Sequence, residues 1–411
     1  MFKSFSKQER AWIYYDVGNS AFTMMVSTII PIWFNTLAQN GGLDSVQYLA
    51  YWSFATSVAT ILVAILGPIL GAISDNKGFK KPMFEVILMI GVIGCFILGV
   101  APNWMLYLGT YIVAKICYQS SLVLYDSMLT DVTTPERMDV VSSQGFAWGY
   151  IGSCIPFVIA LALYYLGTIN KIPLNLAIMI DFLNIAVWWF MVTVPLLKTY
   201  KQINFIENAG SKIAESFSRI GKTLVHIAKH EKKIFYFLLA FFFYIDGVST
   251  IIDEAVAIGS SLGLGQIGLL VVLLLTQVVA FVFATVFGRL TKKYENHTLI
   301  AVCIGGYTFV AFFALFFLHS LWQFGFMAFV VGMFQGAIQA LSRSYYAQII
   351  PPETSGEYFG LYDICGKGAA FFGTTLIGIT VSITKSVNIA VGTLAILFVA
   401  GFFLLRKSAR L

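Results

Sequence analysis

The chain has 411 residues, 58% of them hydrophobic and 11% charged, with a formal net charge of +6 and a mean hydropathy of +0.82. A water-facing domain carries about 25% charged residues, so too little polar surface exists here to cover a soluble globule. Disorder, a collagen-like fibre and a disulfide scaffold are excluded as well. What remains is an all-α polytopic membrane protein.

Apolar runs long enough to cross a bilayer, roughly 20 residues each, recur twelve times. In chain order the spans are predicted at 11–37, 47–73, 82–101, 103–130, 138–167, 173–197, 232–260, 266–290, 297–319, 320–348, 357–384 and 386–405. They are apolar all round and too long for the alternating segments of about ten residues that build a membrane barrel. The first is also too long for the apolar core of a cleavable signal, so it is expected to serve as its own targeting signal. The five cysteines (Cys95, Cys117, Cys154, Cys303 and Cys365) lie inside spans without metal-ligand spacing and read as small buried hydrophobes. No metal is expected.

An even number of spans puts both termini on one face. Of the 26 Lys and Arg, only Lys171 and Lys385 fall in loops of the opposite face, while Lys115 and Lys367 sit within spans. By the positive-inside rule the face of the termini is the cytoplasm. A multi-pass protein of the cell membrane is therefore expected, its basic charge reflecting topology and not a nucleic-acid partner.

The chain also repeats itself. Gly71 and Gly288 stand 217 residues apart after spans 2 and 8, and Pro135-Glu136 and Pro352-Glu353 stand 217 apart after spans 4 and 10. Asn103-Trp104 and Leu321-Trp322 open spans 4 and 10 at an offset of 218. The predicted organisation is two pseudo-symmetric six-helix bundles, residues 1–197 and 232–411, in the same orientation. From Lys198 to Lys233 the linker 198–231, together with the start of the next span, carries eight Lys and Arg against three Glu, with Ile213, Phe217, Ile220, Leu224 and Ile227 at three- and four-residue steps. It reads as an amphipathic helix on the basic face, beside the lipid bilayer, or as a solvated linker.

Gly71, Asp75, Gly78, Lys80 and Lys81 between spans 2 and 3 match the loop motif of the major facilitator superfamily, which the whole topology resembles; the second copy is degraded, with Lys292 where the Asp would stand. Three further runs narrow the resemblance: WIYYDVGNSAF (12–22), YIDGVSTI (244–251) and QALSRSYYAQIIPPETSGEYFGLYDICGKG (339–368). They look like the autophagy-related vacuolar amino-acid effluxers and their bacterial relatives. The resemblance implies a secondary transporter working by alternating access, with spans 1, 4, 7 and 10 lining a central cavity and an amino acid as cargo. It also implies that Asp75 holds the inner gate shut against the start of span 11, where Ser355 or Thr354 is placed to cap the helix. Lys80 and Lys81 would add contacts to Glu357 or Asp139.

Charge inside a span costs roughly 2.5–3.5 kcal/mol on insertion scales, so each such residue is a candidate site. Asp16, beside Gly18 and Asn19 in span 1, and Asp246 in span 7 are candidates for substrate or proton binding, with structural pairing as the alternative. Lys115 in span 4 falls at a depth similar to Asp16, which allows an ion pair between them. Asp253 returns to the face of Asp246 one helical repeat further on, towards the outer mouth. Asp363 and Lys367, four residues apart, share a face of span 11, either as a self-neutralised pair or as a site. Asp126 and Arg343 stand at equivalent depths in the two halves, as a gate contact or as two local pairs. GLGQIG (263–268) has no preceding strand and is no dinucleotide site. No cofactor and no catalytic constellation are expected, so the chain is not an enzyme. Movement of a small solute would be proton-coupled or downhill, through a monomer. The rival readings are an exporter of amphipathic lipids or drugs, and a transport-inactive receptor or scaffold.

Overall fold

The computed structural model describes residues 4–207, 213–261, 263 and 266–411, and among these the chain is helical throughout its length. The first half runs α1 (Lys7–Val26), α2 (Ile29–Asn40), α3 (Ser45–Ser74), α4 (Lys80–Val100), α5 (Trp104–Ser127), α6 (Leu129–Val132), α7 (Pro135–Thr168) and α8 (Leu174–Thr199). A connecting helix α9 (Ile213–His230) leads to α10 (Lys232–Asp253), α11 (Ala255–Ser261), α12 (Gln266–Leu290), α13 (Asn296–Phe317) and α14 (Leu321–Ile349). The chain closes with α15 (Ser355–Thr384), α16 (Val387–Thr393) and α17 (Ala395–Ala409). Three expected spans are each broken in two: α1 and α2, α10 and α11, α16 and α17. Among the described residues ten stretches are long and apolar enough to cross a membrane. The crossing α5 falls short of that measure because tyrosines, serines and charged groups lie along it, and α15 counts only in part, as the apolar stretch Phe372–Thr384.

The helices sort into two bundles of six crossings. In the first, α1 packs on α7 and α8, α4 on α5 and α8, and α3 on α5. In the second, α10 packs on α15 and α17, α14 on α12 and α13, and α13 on α16 and α17. The bundles meet mainly along α3 against α15 and α7 against α12, with α14 also touching α7. Under a six-crossing repeat those first two contacts are the same contact viewed from either half. The pseudo-symmetry seen in the spacing is therefore also present in the packing.

Between α3 and α15 the backbones themselves touch. A Cβ on Gly71 would stand 2.0 Å from the carbonyl oxygen of Gly356, and one on Gly356 would stand 2.4 Å from the carbonyl oxygen of Gly71. Only glycine at both positions lets the helices approach so closely. This crossing lies at the face of the bundle that carries both termini, called here the terminal face.

The linker docks before it becomes helical. Ile206 donates its N–H to the Asp75 carbonyl at 2.8 Å and accepts one from Lys77 at 3.4 Å. α9 then packs on α3 and α10, burying Ile227 while Leu224 stays exposed. The side chains of Ile213 and Phe217, expected on the same apolar stripe, lie outside the described residues. Gly71→Ala is expected to force α3 and α15 apart at a cost of about 1–3 kcal/mol. The change is measured as a lower melting temperature and as increased maleimide labelling of a Ser74→Cys reporter, at a position that is fully buried in the parent.

Candidate functional site

Asp75 ends α3 as its C-cap and reaches across the bundle interface. Its two carboxylate oxygens accept the backbone N–H groups of Gly356 at 2.7 Å and Glu357 at 2.9 Å. The first N–H groups of a helix lack internal partners and carry the positive end of its dipole. Neither expected local cap serves α15: the Thr354 side chain makes no capping bond, and Ser355 turns its hydroxyl to the Ser127 carbonyl at 3.3 Å. The cap of this helix comes from the other half of the molecule. Glu357 contributes its N–H, while its side chain is buried.

Lys80 is fully buried in the same cluster. Its Nζ donates to Ser355 Oγ at 2.9 Å and lies 3.7 Å from Asp75 and 3.9 Å from Asp131. The contacts of Lys80 are thus to Ser355, Asp75 and Asp131, where Glu357 or Asp139 was expected. Lys81 points away and pairs with Glu85 on its own helix at 3.8 Å. Asp131 is held by the linker: Tyr200 Oη donates at 2.5 Å, the Ile203 and Asn204 N–H groups at 3.1 and 2.8 Å, and Asn204 Nδ2 at 3.0 Å. Burial and the adjacent carboxylate push the Tyr200 phenol pKa well above its ordinary value, so it remains a donor. Asp131 and the linker residues were not read as site residues, because nothing local to them signals the cluster.

A second cluster lies deeper. Arg343 of α14 is 3% exposed and reaches into the first half. Its Nη1 donates to Asp126 at 3.0 Å, its Nη2 to Asp16 and to the Ser142 carbonyl at 3.1 Å each, and its Nε to Ser142 Oγ at 2.9 Å. Asp126 and Arg343 thus meet across the interface, as one of the two readings of their equal depth requires. Asp16 does not take the ion pair with Lys115 that its depth allowed; its partner is Arg343. Equal depth does not fix rotation about a helix axis, and here α1 turns Asp16 towards α14. The guanidinium also stacks among rings, 4.6 Å from the Trp12 centroid, 5.5 Å from that of Tyr125 and 4.3 Å from that of Phe146. Gly145 leaves room for this: a Cβ there would stand 2.3 Å from the Asp16 carboxylate.

The other candidates are dispersed. Asp246 is fully buried between α10 and α15, where one oxygen accepts the Gly373 N–H at 3.0 Å and the Thr250 hydroxyl at 3.5 Å. Its second oxygen has no hydrogen-bond partner among the described residues. Asn19 is buried with its amide nitrogen lacking a partner. Lys115 stands 5.7 Å from the Tyr111 ring centroid. Asp363 is half-buried, with one oxygen close to Gly67 of α3. The Lys367 side chain lies outside the described residues, so its pairing with Asp363 is not described.

The two ion-paired clusters that join the halves lie on the terminal side of the bundle, and towards the middle Gln277 of α12 donates to the Met24 sulfur at 3.8 Å. The terminal face is closed in this conformation. A carboxylate at a helix N-terminus is worth about 0.3–1 kcal/mol when exposed and up to ~2 when partly buried. Asp75→Asn is therefore expected to shift the balance towards opening of this face by a few-fold to about thirtyfold, since each 1.4 kcal/mol is tenfold. The measurement is cysteine labelling along α5 and α14 from either side of the membrane; unchanged accessibility in the folded variant reduces Asp75 to a helix cap.

Comparison with known proteins places this geometry. Residues 6–408 match the family described as "Vacuole effluxer Atg22 like". The chain is 39% identical over 410 residues to an uncharacterized MFS-type transporter, YxiO, of Bacillus subtilis, covering 98% of this chain and 95% of that one. It is 26% identical over 273 residues to autophagy-related protein 22-1 of Penicillium rubens, which spans 58% of this chain and 43% of the fungal one. In fold it superposes on FucP, a major facilitator superfamily transporter in the outward conformation, with a TM-score of 0.75 at 13% identity, covering 99% and 98% of the two chains. With the human organic anion transporter MFSD10 the TM-score is 0.72 at 14% identity, covering 97% and 99%. The chain is a membrane transporter and not an enzyme, and it belongs to the Atg22-like vacuole effluxer family within the major facilitator superfamily.

Proposed function

We propose that this transporter exports a small zwitterion, an amino acid, by rocking the bundles 1–197 and 232–411 about the linker 198–231. The observation that carries the alternating-access part is the placement of the polar contacts between the halves. Two latches, Asp75 with Lys80 on α15 and Arg343 with Asp16 and Asp126, both join the bundles on the terminal side. A molecule closed in this way on one side is one end of a two-state cycle, and releasing both latches gives the other end. The basic bias of the loops supports a cytoplasmic terminal face in the cell membrane. The amino-acid reading is supported by the resemblance of three sequence runs and by intramembrane charges of both signs, Lys115, Asp253 and Asp363 among them. The transporter is read as a monomer.

Proton coupling is assigned to Asp246. Among the described residues it is buried without a counter-ion and its second oxygen makes no hydrogen bond, so a proton there removes an uncompensated charge. Protonation would also weaken its hold on the Gly373 N–H and so on the middle of α15. The test is uptake and counterflow of an amino-acid panel in proteoliposomes. Asp246→Asn is expected to abolish accumulation driven by a pH gradient while leaving counterflow intact, because exchange needs no net proton release. Normal gradient-driven uptake by this variant overturns the assignment, and saturable binding without flux for every amino acid overturns transport in favour of a receptor.

A further inference from the structure

We infer that the pocket occupied by Arg343 is a receptor for a guanidinium-bearing solute once the terminal face opens. The inference rests on the alternating-access reading above and names the chemistry of one site within it.

Among the described residues, the groups that accept hydrogen bonds from the Arg343 head, and the rings it faces, belong to the first bundle. Trp12 and Asp16 stand on α1, Tyr125 and Asp126 on α5, and Ser142 and Phe146 on α7. Only Arg343 comes from the second. The pocket also holds itself together without it. Trp12 Nε1 donates to the Tyr125 carbonyl at 3.0 Å, and Tyr125 Oη donates back to the Trp12 carbonyl at 3.1 Å. The two rings stack with centroids 4.4 Å apart at 16°. When the bundles part, Arg343 leaves with α14 and a preformed cage remains.

That cage suits a guanidinium in shape as well as charge. The ring centroids of Trp12 and Phe146 lie 4.6 and 4.3 Å from the Arg343 guanidinium carbon, spacing that accepts a flat cation. Two carboxylates and the Ser142 hydroxyl and carbonyl take donors from three different nitrogens. An ammonium is compact and strongly hydrated and uses this planar array less well. The charge balance points the same way. With Arg343 seated, two formal carboxylates face one guanidinium. With it gone, both carboxylates lack their counter-ion at the base of the opened cleft, which favours entry of a cation. Arg343 thus stands in for the solute in the closed state, and the solute, by taking its place, would hold the terminal face open.

The test uses the full-length protein in detergent and reads binding without flux, so its outcome is independent of whether amino acids are transported. Arg343→Ala empties the cage; millimolar agmatine is expected to raise its melting temperature by several degrees, while 1,4-diaminobutane, which keeps an ammonium in place of the guanidinium, and n-butylurea, neutral and of similar shape, are not. In the Asp75→Asn background, with Arg343 intact, agmatine is expected to bind saturably with a change in tryptophan fluorescence. That affinity should fall by roughly tenfold or more in Asp126→Asn, which removes one charge from the cage. If Arg343→Ala does not fold, the Asp75→Asn measurement decides alone. Equal responses to agmatine and to either diaminobutane or butylurea, or no response to agmatine in a folded protein, overturn the inference and leave the cage as a structural clamp for Arg343 only.

Discussion

A guanidinium buried between two membrane-embedded bundles has to be answered by groups that can accept its protons, and in this protein they lie on the opposite bundle. Arg343 depends on Asp16, Asp126 and Ser142 of the first half, and none of these could be removed without leaving charge or polar atoms stranded in a dry interface. The closed terminal face follows from that dependence. The second latch has the same logic in another form: the positive start of α15, which lacks a cap of its own, is satisfied by Asp75 across the interface. In both cases a group that would be costly alone becomes stable only when the halves meet.

The surrounding structure serves this closure at short range. Glycines at the crossing of α3 and α15 bring Asp75 within hydrogen-bonding distance of the helix start. Lys80, brought between Asp75 and Asp131, adds a third point of contact through Ser355. Asp131 is held by four donors from Tyr200, Ile203 and Asn204. The segment that joins the bundles is thereby part of the first bundle's latch surface, before the chain continues into α9.

The two halves share a plan but not a chemistry. The symmetric counterpart of the α3 and α15 contact is that of α12 with α7, yet Lys292 stands where Asp75 would be, and among the described residues no carboxylate of the second half accepts the first N–H groups of α7. There Asp139 is bonded instead by Asn296 and by Gln348, the latter at 2.9 Å. The Asp75 ion pair belongs to the α3 and α15 seam, while the α7 and α12 seam carries a neutral bond, Gln144 Nε2 donating to the Thr285 hydroxyl at 3.2 Å. The Arg343 cluster is similarly one-sided, with the cation on the second bundle and the cage on the first.

Much of the architecture was legible in the chain itself. Twelve crossings, their six-plus-six repeat and the basic face follow from hydropathy, spacing and charge, because the bilayer imposes length and polarity on each segment separately. The Asp75 latch was implied by the resemblance of its loop motif, and the equal depth of Asp126 and Arg343 in the two halves left their meeting as one of two readings. What only the tertiary structure decided is rotation and partnership. Depth placed Asp16 beside Lys115, but the turn of α1 about its axis gave it to Arg343. Lys81, adjacent to Lys80, turned to Glu85 because neighbours on a helix face different directions. The roles of Asp131, Tyr200 and Ser142, and the rings of Trp12 and Phe146, arise from contacts over long sequence separations. A linear pattern records how far along an axis a residue lies, and only packing determines which neighbour it faces.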